Sequence, residues 1–204
     1  MAVVAPGGIP APSFERPRTL VHPGPRADVR LAHVAAQGAR QIRLSLPQGT
    51  CLHEGLTQAL AAAGVQSAAM ALMGGDLAEV AYCLPIPDPE GQLMATYGEP
   101  KVLRGASLLR GSATLGQDDQ GAPVIHCHAS FADADGGVRG GHVLTPHTVV
   151  GQRPVTVLVS VLGGVALRLG FDDETRLNML KPHAVKSETA KFETVTTTAG
   201  AHHG

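Results

Sequence analysis

Tryptophan is missing from this 204-residue chain, and two Tyr and four Phe are its only other aromatic residues. A buried core must therefore be filled mainly by Ala, Val, Leu and Ile, and an apolar content of 44% supplies enough of them to argue against a disordered chain. Charge is scarce as well, at 16% of residues and a formal net charge of -1. Such a surface suits an oligomer, whose interfaces absorb apolar area, better than a monomer. Cysteine is limited to Cys51, Cys83 and Cys127, an odd and widely spaced set that makes a poor disulfide framework. Cys127 reads as a small buried hydrophobe. The apolar stretch Val155–Leu167 covers about 13 residues, too few to span a bilayer. The N-terminus shows neither the basic start nor the apolar run of a secretory signal, so the expected location is the cytoplasm with no membrane partner.

What charge there is lies unevenly. Residues 1–40 carry five Arg against Glu15 and Asp28, whereas residues 41–170 carry seven basic and ten acidic residues. A domain that grips nucleic acid with its own surface needs a basic face, and the central region has no such excess. The length suits one well-buried domain with tails. The expected division is a Pro/Gly-rich basic arm over 1–39, a domain over 40–172 and a C-terminal tail over 173–204.

Within the domain, Gln41–Leu46 alternates polar and apolar residues as a half-buried strand does. Helical spacing of Leu52, Leu56, Ala59, Leu60 and Ala63 predicts a helix from Thr50, with Thr50 as N-cap and Gly64 closing it. Strand-like segments follow at Val65–Met73 and Leu77–Leu84. Lys101–Leu109 and Ser112–Leu115 read as two short strands separated by Gly111. Val124–Phe131 with Val138–Leu144, and Pro154–Leu162 with Val165–Leu169, complete the set. From about Lys181 periodicity is lost. One early helix and a run of strands predict an α+β fold, a mainly antiparallel mixed sheet with that helix packed on it. Regular βαβ alternation and a glycine-rich phosphate loop are both missing.

The chemistry concentrates in three histidines. His126 and His128 are two apart, so in a strand both side chains point to one face. The turn signal Asp133-Ala134-Asp135-Gly136-Gly137 folds the chain back and brings His142, after Gly140-Gly141, beside them. Three imidazoles converging from a hairpin can hold a metal and leave one position open, as catalytic zinc sites do. The competing reading is a trio of hydrogen-bonded imidazoles at a subunit interface. A second charged group would have to come from elsewhere. Glu99, Arg104 and Arg139 are the candidates for binding a small anionic ligand, Arg139 as a bidentate carboxylate clamp. Each also reads as an ordinary surface charge. His147 and His53 read as surface and partly exposed residues.

The run Pro123-Val124-Ile125-His126-Cys127-His128-Ala129-Ser130-Phe131 through Asp133, Gly136-Gly137 and Gly140-Gly141-His142-Val143-Leu144 resembles the signature of the plant-and-prokaryote-conserved (PPC) domain family. The resemblance covers roughly residues 40–170 and is most specific in the histidine hairpin. It implies an α+β fold, a homotrimer, and a metal, zinc in the usual reading, on His126, His128 and His142. Plant members pair the domain with an AT-hook and bind DNA. Here the nearest match, Glu15-Arg16-Pro17-Arg18, lacks the Gly that lets such a hook enter a minor groove. The alternatives are therefore a DNA-associated regulator contacting DNA through the basic arm, a purely structural metal, and a metal-dependent lyase. The last rests on a thinner likeness, since His-x-His followed by Gly-Gly-His is similar to the zinc site of acetolactate decarboxylases.

Overall fold

In the computed structural model of the protein, residues 22–36 and 39–185 are described. Strand β1 (Ala39–Leu46) turns Ile42, Leu44 and Leu46 inward and Gln41, Arg43 and Ser45 to solvent. Helix α1 (Leu52–Ala62) buries Leu52, Leu56 and Leu60. Its N-cap is Cys51 rather than Thr50, and it makes no side-chain capping bond. The Thr50 carbonyl accepts from the Val150 amide at 3.0 Å, and the carbonyl of Thr148 satisfies the first helical N–H, that of Leu52, at 2.8 Å. Gly64, at φ 67, follows the C-cap Ala63 and lets the Val65 amide reach back to the Leu60 carbonyl.

The strands after the helix are β2 (Ala68–Met73), β3 (Asp76–Cys83), the short ribbon β4 (Pro85–Ile86) and β5 (Thr96–Tyr97), β6 (Lys101–Gln117), β7 (Pro123–Ala132), β8 (Val138–Val143), β9 (Val149–Val150), β10 (Val155–Leu162), β11 (Val165–Asp172) and β12 (Leu177–Ala184). Two short strands around Gly111 are in fact the single strand β6. Gly111 is buried where a side chain would meet Ala129 and the His128 carbonyl, so the glycine lets β6 and β7 approach rather than ending a strand. The irregularity lies beside Leu109, where the register shifts between Leu108 and Arg110.

Strand order is β1-β10-β2-β6-β7-β8-β3-β9, and an additional β3–β6 pairing closes β3, β6, β7 and β8 into a ring. These pairs are antiparallel; the sheet becomes mixed where β11 meets β6 through one parallel bridge, Arg168 with Gln117. β10 and β11 flank Gly163-Gly164 without pairing, since β10 lies between β1 and β2. β12 runs past Lys181, where sequence periodicity fades because the strand buries neither face fully. The architecture is thus a mainly antiparallel mixed sheet with one α-helix among the described residues, more β than α.

One face of the sheet is the core. The row Ile42–Val159–Met70–Ala113–Cys127, read across β1, β10, β2, β6 and β7, joins the three helix leucines in a single cluster. Inside the ring, Tyr82 and Phe131 meet edge to face at 5.0 Å, a favoured geometry for the few aromatics present. The opposite face carries the next row, Arg43–Leu158–Ala71–Ser112–His128–His142.

Candidate metal centre

The hairpin β7–β8 is set by its turn. The Asp133 carboxylate accepts from the Gly137 amide at 2.6 Å and the Asp135 amide at 3.2 Å, while Gly136 takes φ 79, where a side chain would be strained. That turn fixes the register in which His128 lies directly across from His142. His126, two residues back, shares their face. Ring centroids stand 4.8 Å apart for His126 and His128, 5.0 Å for His126 and His142, and 5.4 Å for His128 and His142. One nitrogen from each lies within 4.8 Å of the others. Cys127 points into the core with no exposure, and burial pushes its thiol up to about 12, which leaves it inert as a ligand.

Two neighbours hold His142 in place. Its partner across β3 is Cys83, and at Gly141 any side chain would run into the Cys83 carbonyl, so the glycine permits the β3–β8 contact. On the other side the Tyr97 ring, carried by the β4–β5 ribbon, stacks on the imidazole at 4.6 Å and 26°. Burial raises the Tyr97 hydroxyl above its ordinary range, with Cys83 adding to the shift. Burial, followed by the neighbouring His126 and His128, brings His142 down to about 4. Burial and then His128 also lower His126. Both rings are accordingly neutral near pH 7 with lone pairs available, the state a metal requires.

His142 Nδ1 is buried and has no hydrogen-bond partner. Such a group costs about 1–3 kcal/mol when unsatisfied, and a cation bound through that nitrogen would satisfy it. Imidazole donors suit zinc and its neighbours in the first transition row. Nitrogens on a tetrahedral zinc stand about 3.4 Å apart. The nitrogens lie within 4.8 Å of one another, wider than that spacing, so the rings would have to turn inward to share one ion. Three donors and no fourth Cys, Asp or Glu make up the group among the described residues.

The charged candidates do not gather here. Arg104 is paired with Glu79 at 3.0 Å. Arg139, across from Phe131, lies on the opposite face of β8 from His142 and is paired with Asp133 at 3.2 Å. Glu99 is exposed after β5 and forms no ion pair among the described residues. His147 is exposed, and His53 is half-buried against the Thr145 hydroxyl at 3.3 Å. Sequence reasoning missed Tyr97 and Arg110. Arg110 stands one row from the histidines, across from Ser130. Only the strand register reveals it, since neither spacing nor composition links Arg110 to His128.

Residues 33–162 match the model of the Plants and Prokaryotes Conserved (PCC) domain. The chain belongs to that family. Solved structures share the PCC fold at low identity. A metal-containing protein from Archaeoglobus fulgidus is 21% identical with a TM-score of 0.62, covering 74% of this chain and 99% of that one. A plant- and prokaryote-conserved protein from Pyrococcus horikoshii is 16% identical with a TM-score of 0.60, covering 74% and 97%. A protein from Ralstonia eutropha, named as a candidate for DNA binding, is 21% identical with a TM-score of 0.56, covering 68% and 89%. No curated protein matches the chain. The PCC match takes in β1 to β10 and all three histidines, and stops short of the β11–β12 hairpin.

Proposed function

We propose that this PCC-domain protein is a homotrimer that holds a divalent metal, zinc, on His126, His128 and His142, and presents it to a small anionic ligand. The observation that carries this reading is the convergence of three imidazoles within 4.8 Å, one of them with a buried nitrogen lacking any partner. With three protein donors, such a metal would keep a position open to water or ligand, where it would lower a water pKa or polarise a carbonyl. The protein's own part is to keep His126 and His142 neutral by partial desolvation and to fix His142 between Gly141 and Tyr97. The relative named as metal-containing is consistent with this.

Assembly draws support from the same face, where Leu158 and Met73 are 44% and 39% exposed. Apolar side chains in a sheet face that also carries a site favour burial against another subunit. Light scattering should give three times the 21.0 kDa chain mass; a mass of 21.0 kDa would remove the trimer from the proposal.

The deciding experiment is elemental analysis of untagged protein purified without chelator, beside His126→Ala/His128→Ala. About one zinc per chain is expected in the wild type and none in the variant, from three donors making one site. Metal-free wild type would leave the histidines as interface structure. A second reading, DNA association, draws on the basic excess of the arm and on the Ralstonia relative's name. It requires binding that weakens steeply with salt and disappears when residues 1–39 are removed.

A further inference from the structure

Beside the histidines lies a shallow, open depression of about 390 Å³ lined by Arg110, Ser112, His128 and Ser130, with Gly111, Ala129 and Gly141 between them. Its lining follows from the register. Ser112 lies across from His128 in one row, and Arg110 lies across from Ser130 in the next. Like His128, these residues face away from the core. Ser130 is in turn opposite Gly140, which has no side chain to cover the row from β8. Other cations nearby are already committed: Arg104 to Glu79, Arg139 to Asp133 and Arg153 to Asp76. Arg110 forms no ion pair and no side-chain hydrogen bond among the described residues, although it sits on the histidine face. The Ser130 hydroxyl donates to the Arg110 carbonyl at 3.4 Å, which fixes that serine without using the guanidinium.

We propose that Arg110, aided by the Ser112 hydroxyl, is the anion subsite of the metal centre. The ligand class is then a short acid with two oxygen-bearing ends, one for the metal and a carboxylate for Arg110. Adjacent rows of one sheet face are roughly 7 Å apart along a strand. A ligand bridging metal and guanidinium therefore needs only a few carbons between its ends. A planar guanidinium matches a carboxylate through paired N–H donors, which an isolated lysine would not reproduce. This inference rests on the metal reading above and adds the chemistry of the ligand.

The test uses the full chain loaded with Co²⁺, whose visible bands report ligand changes at the metal. Succinate and butyrate, four-carbon acids differing by one carboxylate, are the probes. Succinate is expected to perturb the bands at a concentration about tenfold or more below that of butyrate. Arg110→Ala should weaken succinate by about ten- to a hundredfold, the size expected of a charge-assisted pair. The same variant should leave Co²⁺ uptake and butyrate unchanged. Arg110→Lys should recover part of the loss. Arg43→Ala, the same charge change at the far end of the histidine row, should have no effect. If the wild type shows no Co²⁺ bands, the metal reading and this inference fall together. If it binds Co²⁺ but prefers neither acid, or if Arg110→Ala still prefers succinate, the inference falls alone.

Discussion

The chain contains two hairpins of similar size put to different uses. β7–β8 is bounded by β6 on one side and β3 on the other, so its strands are held in a closed ring and their side chains keep one geometry. β11–β12 pairs with the rest of the sheet through one parallel bridge, helped by the Leu167 amide donating to the Ser67 hydroxyl at 3.0 Å, and its turn reaches the arm. There Glu174, 8% exposed, accepts from the Ala27 amide at 3.0 Å and pairs with His22 and Arg30, each at 2.7 Å. The first hairpin lies within the family match and gathers three histidines on its strands; the second lies beyond it and clasps the arm. Ladder pairing on both sides suits a set of converging side chains, whereas a hairpin with little ladder pairing to the sheet suits a contact that only has to hold a segment down.

The sharpest way to separate the two is to empty one of them. His126→Ala/His128→Ala should take zinc from about one per chain to none, while the stability of the metal-free proteins should differ by about 1 kcal/mol or less because neither side chain packs into the core. Glu174→Ala should leave the stoichiometry at its wild-type value. Metal analysis paired with urea unfolding checks both, and zinc lost from the Glu174 variant would break the comparison. Gly141→Ala should come next in size. Its side chain would meet the Cys83 carbonyl and force β8 from β3, at a cost of about 1–3 kcal/mol, with looser metal retention. Unfolding at wild-type denaturant would show that β3 does not constrain His142.

Much of the first hairpin is legible in sequence. The His-x-His spacing, the Asp-Gly turn and the Gly-Gly before His142 each state a local rule, and local rules survive without knowledge of the partners. Tyr97 and Arg110 are not legible, because each reaches the site through a pairing set by residues far away in sequence. Thr50 fails as an N-cap for the same reason: Val150 claims its carbonyl. Gly111 misleads in the opposite direction, since close strand approach and strand termination use the same residue. β12 lies hidden because a strand that buries neither face leaves no periodic trace.

Acid should act on the two hairpins in different ranges. His142 is held down to about 4 from an ordinary 6.5, so the unfolded chain binds the proton first. Stability of the metal-free protein is therefore complete above about pH 6.5 and declines as pH falls towards 4, by about 1–2 kcal/mol once solvent screening of a half-buried ring is allowed for. Thermal melts across that range, repeated on His142→Asn, check the sign, and the variant should lose the slope. A steeper slope in the variant would assign the acid sensitivity elsewhere.

The smallest effect belongs to the clasp. The His22 hydrogen bond to Glu174, then the Ala27 amide and the Arg30 charge, hold that carboxyl below its ordinary 4.5. A carboxylate lowered in this way contributes fully above pH 4.5 and loses its contribution as pH falls through the depressed value. At neutral pH the arm is therefore held, and Glu174→Ala should release it with little change in global stability. Arg26 and Arg30 give trypsin two cutting points in the described arm, so cleavage there should become several-fold faster in the variant while the ring of β3, β6, β7 and β8 stays intact. Glu174→Gln should fall between the two, since an amide oxygen still accepts from Ala27 but no longer pairs with Arg30. Equal cleavage in all three proteins would mean that the arm is held by Gly24, whose amide donates to the Glu174 carbonyl at 3.0 Å, and that the turn backbone does the clasping.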